Sequence, residues 1–259
     1  MITRRRLILL SLATPTLVYP AVSAAMALGL TRTRRMRPED TPEAVGLEYE
    51  HVTFQSADGE VELSGWVIPA PEAVGGPRNT HAPWVVIVHG FGTHRGAPAA
   101  GALGFARDMH VQGFGLLMFD MRGCGESGGG GGSVGYHERA DLLGALNFLE
   151  SRGVSRSGIG VHGFSLGGTV ALTTCAASGG AGAVVADSAF ADLWDTIRAN
   201  SKGFKRPTVW FHPGMDVLAR WMFGINIEDV SPVRSVAGSR TPLLIIHGAD
   251  DDMVPVEDA

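Results

Sequence analysis

The stretch Ile159-Gly-Val-His-Gly-Phe-Ser165-Leu-Gly-Gly-Thr-Val-Ala-Leu172 limits the possible folds of this chain more than any other. A short apolar run enters Gly163-Phe164-Ser165-Leu166-Gly167, and helix-forming residues follow from Thr169 to Ala177, so the pattern predicts strand, sharp turn and helix. A serine on such a turn has its hydroxyl lifted clear of the backbone, and the N–H of Leu166 at the helix start can face a developing oxyanion. Small residues at 163 and 167 let the turn close without side-chain clash. Segments around Ser127 and Ser133 fit the same G-x-S-x-G pattern. They lie in a glycine-rich loop that no strand enters and no helix leaves directly, so context selects Ser165.

The rest of the chain supplies a sheet for that turn. Tyr49–Gln55 and Val61–Ile68 read as an antiparallel pair. After them, apolar strands at Trp84–Val88, Gly115–Phe119 and Ala183–Asp187 alternate with helices over about 97–111 and 136–150. Strand-helix alternation of this kind predicts an α/β fold with a mostly parallel central sheet and helices on both faces. Trp84–Val88 ends in His89-Gly90-Phe91-Gly92, where the N–H of Phe91 can share the oxyanion with that of Leu166. Asp120 and Arg122 are expected to tie the following loop through an ion pair and backbone hydrogen bonds. From about 190 to 227 the chain carries Trp194, Trp210, Phe211, Trp221, Met222 and Phe223, a short helical lid whose apolar face would close over the site and shape an acyl or aryl pocket. Pro242–His247 is a further strand, and it delivers Asp250, Asp251 and Asp252 to the same sheet edge; the pattern alone does not choose among the three.

A formal charge of −5 with scattered Lys and Arg gives no basic stripe, which argues against a nucleic-acid partner. Cys124 and Cys175 are too few and too far apart for a disulfide framework or a CxxC metal site, and two G-x-G-x-x-G matches lack the strand-then-helix context of a dinucleotide site, so no metal or cofactor is expected. Arg4-Arg5-Arg6 precede an uncharged run from Leu7 to Leu30, about 36 Å long as a helix and long enough to span a bilayer with some tilt. Residues 1–35 therefore read as a single-pass N-terminal membrane anchor, the rival being a signal peptide whose removal would secrete the protein. Residues 36–46 read as a linker and 47–259 as one catalytic domain.

His89-Gly-Phe-Gly, Asp120-Met-Arg-Gly-x-Gly-x-Ser, Gly163-Phe-Ser-Leu-Gly-Gly and His247-Gly-x-x-Asp251-x-x-Val-Pro occur in this order at strand ends. From about Val52 to Pro255 the chain resembles the α/β-hydrolase superfamily, in particular membrane-anchored bacterial serine hydrolases similar to serine aminopeptidases and lysophospholipase-like esterases. The resemblance implies Ser165 as nucleophile, Asp251 as the triad carboxylate, Phe91 and Leu166 as oxyanion donors, and a small-molecule or lipid-like ester as substrate. It also implies a histidine after a further helix and strand. Only eight residues follow Asp251, fewer than a helical crossover needs, so the domain is expected to lack its C-terminal strand and helix, with the histidine beyond Ala259. The alternative function is a non-catalytic, membrane-tethered binding module or pseudoenzyme.

Overall fold

The computed structural model describes residues 4–71, 82–176, 180–203 and 208–258, with the first helix given by its backbone alone as far as residue 16. Seven strands, β1 (Glu50–Gln55), β2 (Glu62–Ile68), β3 (Trp84–Val88), β4 (Gly115–Phe119), β5 (Ile159–Phe164), β6 (Ala183–Asp187) and β7 (Leu243–Ile246), form one sheet in the order β1-β2-β4-β3-β5-β6-β7. The β1–β2 and β2–β4 pairings are antiparallel and the other four parallel. Val88 pairs with Phe119 and with Gly163, Phe164 with Asp187, and Asp187 with Ile246, so β3 to β7 all end at one edge.

Successive residues of a strand point to opposite faces, so the apolar runs feed two cores. Val86, Val88, Leu117 and Phe119 meet α3 (Glu138–Ser151) and α4 (Leu166–Ala171) on one face. Val85, Ile87, Leu116 and Met118 meet Trp66 and α2 (Ala102–Val111) on the other. The helix expected from 97 starts only at Ala102, because Pro98 begins a separate 3-10 turn that Gly101 closes at φ 61°. In the other direction α4 starts earlier than Thr169, since Ser165 already serves as its N-cap, and it passes into a π turn at Leu172–Ala176. Among the described residues β7 stands at one edge of the sheet. Its four residues are 37–55% exposed although all are apolar.

The segment expected to form a lid, about 190–227, holds α5 (Leu193–Gly203), a 3-10 turn at Thr208–Phe211 and α6 (His212–Phe223), and a second 3-10 turn at Ile227–Asp229 and the short α7 (Pro232–Ser235) follow it. Trp194 packs against the core, but Trp210 and Trp221 are 77% and 81% exposed. These two therefore do not line a pocket as expected. Met215 and Ala219, one turn apart, are buried, while Val217 and Trp221, also one turn apart, fall on the opposite face of α6.

The buried face of α6 meets α1 (Arg4–Thr31). The side chains of residues 7–16 of the expected anchor lie outside the described residues; among the described residues no helix is long and apolar enough to cross a membrane. The second half of α1 is docked on the domain. Ser23 Oγ donates to the Phe211 carbonyl at 3.3 Å, the Gly214 N–H donates to Tyr19 Oη at 3.2 Å, and Ala27 is fully buried. A side chain at Gly214 would meet Ser23 Oγ at 2.4 Å, so the two helices touch backbone to side chain. Residues 36–46, read as a linker, carry a 3-10 turn at Pro42–Val45 with Pro42 buried and Leu47 inserted into the α2-side core.

Candidate active site

The edge where β3, β4, β5, β6 and β7 end collects the residues singled out in the sequence. Ser165 follows β5 directly and caps α4 with φ 53° and ψ −119°, a conformation L-residues avoid. Its N–H donates to the Asp187 carbonyl at 2.7 Å, and its own carbonyl accepts from Gly168 and Thr169 at 2.9 and 3.2 Å, so the turn is held from both sides. A Cβ at Gly163 would lie 2.1 Å from the Gly167 carbonyl oxygen, and one at Gly167 2.2 Å from that of Val88. Only glycine fits either place.

A Cβ at Gly90 would lie 3.4 Å from Ser165 Cβ and 3.9 Å from its Oγ, which puts the 89–92 turn alongside the hydroxyl. Phe91 follows with its side chain 43% exposed, and Leu166 is buried as the first residue of α4, where a helix N–H has no partner inside the helix. The decoy serines have structural bonds. Buried Ser127 donates to the Asp120 carbonyl and accepts from Ser64 N–H, and buried Ser133 donates to Glu138.

Asp251 stands just beyond β7. Its Oδ1 accepts the N–H groups of Met253 and Val254 at 2.8 and 2.9 Å, and these bonds hold its carboxyl below the usual range. Its Oδ2 lies 3.9 Å from His247 Nε2, too far for a hydrogen bond, and that nitrogen instead donates to the Val254 carbonyl at 2.8 Å. Asp250 and Asp252 are exposed. No described histidine hydrogen-bonds the Ser165 hydroxyl. Buried His89 joins the Gly90 carbonyl at 2.8 Å through Nδ1 and the Met121 N–H at 3.0 Å through Nε2, and burial pushes its pKa down, so it is a neutral brace. Half-buried His162 stacks on Phe105 at 4.5 Å, and the His137 ring bonds the Phe223 carbonyl at 2.9 Å.

Asp120 and Arg122 do not pair with each other. Asp120 pairs with Arg95, whose side chain is 1% exposed, whereas Arg122 takes Asp141 at 2.8 Å and Asp58 at 2.9 Å. Asp120 directly follows β4 and Arg122 lies in the turn beyond it, where a strand's alternation no longer sets side-chain direction, and the two charges find partners on different elements. Arg95, Asp141 and the buried Glu138, which receives Ser133 and Gly135 N–H groups, were missed in the sequence. None carried a local signal, because each gains its role through a contact distant in the chain or a loop closed by glycines. Burial pushes the thiols of Cys124 and Cys175 up to about 12, so both stay protonated and inert.

A cleft of about 670 Å³ lies between Arg139, Trp194, Arg198 and Arg234 and includes neither Ser165 nor Asp251. No group of metal-ligating side chains occurs among the described residues.

Comparisons with known proteins agree with this geometry. A family model for the alpha/beta hydrolase fold matches residues 83–211. The uncharacterized protein YqkD of Bacillus subtilis is 29% identical over 218 residues, covering 80% of this chain and 68% of that protein. The uncharacterized protein YfhR of Salmonella typhi is 31% identical over 226 residues, covering 82% and 68%. Among solved structures, the esterase Pf2001 of Pyrococcus furiosus superposes with a TM-score of 0.66 at 27% identity, covering 88% of this chain and 81% of that one. The family model and the likeness to an esterase support hydrolase activity, and the chain belongs to the α/β-hydrolase superfamily.

Proposed function

We propose that the protein is a serine hydrolase that cleaves carboxylic ester, thioester or amide bonds through an acyl-enzyme on Ser165, with esters as the main class. The observation that carries this reading is the conformation of Ser165, φ 53° at a strand-to-helix turn where Gly90, Gly163 and Gly167 allow backbone to approach on all sides. Non-glycine residues are held in such conformations where the surroundings over-determine them, and these places cluster at active sites. Ser165 Oγ attacks the carbonyl carbon, the N–H groups of Phe91 and Leu166 stabilise the oxyanion, and water then releases the acid. A histidine oriented by Asp251 takes the serine proton and returns it to the leaving group. None of the described histidines holds that position.

A panel of p-nitrophenyl esters of rising chain length, beside aminoacyl amides, tests the reading. Ser165→Ala is expected to remove turnover by several orders of magnitude, while Ser127→Ala and Ser133→Ala keep most of it. A comparable loss from a folded Ser127→Ala variant overturns the assignment, and preference for the amides overturns the esterase choice. The second reading, a non-catalytic binding module, is favoured by the unpartnered Ser165 hydroxyl among the described residues. It predicts no turnover and no labelling of Ser165 by a fluorophosphonate.

A further inference from the structure

The helix pair α1 and α6 has an outer side that a water-facing lid does not explain. Trp221 is 81% exposed, Trp210 77%, Leu17 69%, Val217 63%, Val18 44% and Met222 40%. A surface helix normally turns its polar residues outward, yet on α6 the outward pair at i and i+4 is Val217 and Trp221, and the inward one Met215 and Ala219. Two tryptophans this exposed are uncommon on a protein surface. The indole ring has an apolar body and one N–H donor, which suits the boundary between acyl chains and water.

The charge along α1 and directly beyond it has one sign. The whole chain is at −5, but its first 37 residues hold seven arginines and no acidic residue. Arg32, Arg34, Arg35 and Arg37 follow directly from α1 and are exposed. On α6 the only acidic residue, Asp216, lies 3.6 Å from Arg220 and is balanced by it. Toward its start α1 runs on through Leu7-Ile-Leu-Leu, away from the Tyr19–Phe211 ring contact at 5.4 Å that joins it to the lid. Exposed aromatic and apolar residues thus run along the helix pair, with the apolar start of α1 beyond its Tyr19 contact and the arginines beyond its other end at Thr31. Two copies placed face to face would set arginine against arginine, so the complementary partner is negatively charged and apolar beneath its charge.

We propose that the outer side of α1 and α6 is a docking face for an anionic lipid surface, with Trp210, Val217 and Trp221 seated at the headgroup boundary and the arginines on the lipid charges. This goes beyond a tether made by the N-terminal segment alone, because it puts the lid itself on the membrane. It is independent of the serine-hydrolase reading, since nothing in it uses Ser165. The docked half of α1 fits a helix lying along the interface, with Ser23 and Ala27 on the protein side.

The test is flotation of the full chain with vesicles of equimolar phosphatidylcholine and phosphatidylglycerol, beside phosphatidylcholine alone. The unaltered protein is expected to float with the anionic vesicles only, less so as salt rises through the range that screens surface charge. Trp210→Ala with Trp221→Ala should weaken binding by about tenfold, and Val217→Asp should do the same, with melting temperatures unchanged. In the unaltered protein, brominated lipids should quench tryptophan fluorescence, which needs no variant to fold. Equal flotation of the variants would leave the N-terminal segment as the sole attachment and overturn the proposal. So would absence of quenching, or a dimer in light scattering that the Trp variants dissociate with no change in lipid binding.

Discussion

Replacing Ser165 by glycine and, separately, by alanine separates the chemistry of the turn from its strain. At φ 53° and ψ −119° the Cβ of Ser165 is in a region that costs a non-glycine residue about 1–3 kcal/mol. Alanine keeps that Cβ and removes only the hydroxyl, which has no bond to lose among the described residues. Glycine removes the strain as well, while its freer unfolded chain costs about 0.5–1 kcal/mol. The difference leaves Ser165→Gly more stable than Ser165→Ala by about 1 kcal/mol, a rise in melting temperature of roughly 2–4 °C for a domain of this size. The backbone bonds to Asp187, Gly168 and Thr169 use no side-chain atom and persist in both. Paired calorimetric scans measure the gap, and ester turnover should be lost equally in the two. A glycine variant no more stable than the alanine one would refute the claim that the serine is held in a strained turn.

Other expectations follow from the same packing. Gly163→Ala and Gly167→Ala should each abolish soluble expression or cost more than about 3 kcal/mol in urea, since the new methyl meets backbone oxygen at 2.1 and 2.2 Å; Gly104→Ala, in open space on α2, should stabilise by up to about 1 kcal/mol. Burial lowers the pKa of His89, His94 and His162 in the fold, so the unfolded chain binds more protons as pH falls through 6.5 and that stability is lost. Urea midpoints should therefore drop between pH 7 and pH 5, above the range in which the lowered carboxylates Asp58 and Asp251 titrate, and a flat profile would contradict it. Leu244→Lys, on the β7 edge of the sheet, should slow aggregation in turbidity assays while changing the melting free energy by less than about 0.5 kcal/mol.

What the sequence made legible follows from how local each signal is. The five apolar runs from Trp84 to Ile246 are buried or edge strands within a residue or two of their expected limits, because a continuous run of β-branched and large apolar residues flanked by Gly or Pro has few other solutions. The elbow was legible for the same reason: strand, Gly-x-Ser-x-Gly and helix are contiguous. The helices between 193 and 223 were readable but the direction of their tryptophans was not, since Trp194 turns inward and Trp210 and Trp221 outward, and that depends on which side α1 occupies. The uncharged, helix-length run Leu7–Leu30 was visible, whereas the docking of Ser23 and Ala27 on α6 was not, because it depends on Gly214 lacking a side chain nearly two hundred residues away.

The buried charges carry the argument about the site furthest. Arg95 and Asp120 are almost wholly removed from water, and an ion pair so placed must satisfy its other hydrogen-bonding groups or be a liability. Asp120 does so with backbone: its Oδ1 accepts Arg95 N–H at 2.7 Å and its Oδ2 accepts Glu126 N–H at 2.9 Å. Arg95 lies over the Trp66 ring at 4.3 Å and reaches Ser64 Oγ at 3.1 Å. The carboxylate at the end of β4 thus fastens the loop that leaves β3, and His89 adds a second tie by accepting the Met121 N–H. Gly125 closes over the pair where a Cβ would lie 1.9 Å from Asp120 Oδ2. Each tie restrains residues 89–95, so the Gly90–Phe91 turn beside Ser165 is positioned by bonds already made in the resting protein. In the proposed hydrolase reading, a donor held in this way at Phe91 would need no rearrangement when the oxyanion forms. The Asp120-Met-Arg-Gly-x-Gly-x-Ser run is therefore the part of the chain that holds the neighbouring strand's turn in place, and its charges act on the site through that turn.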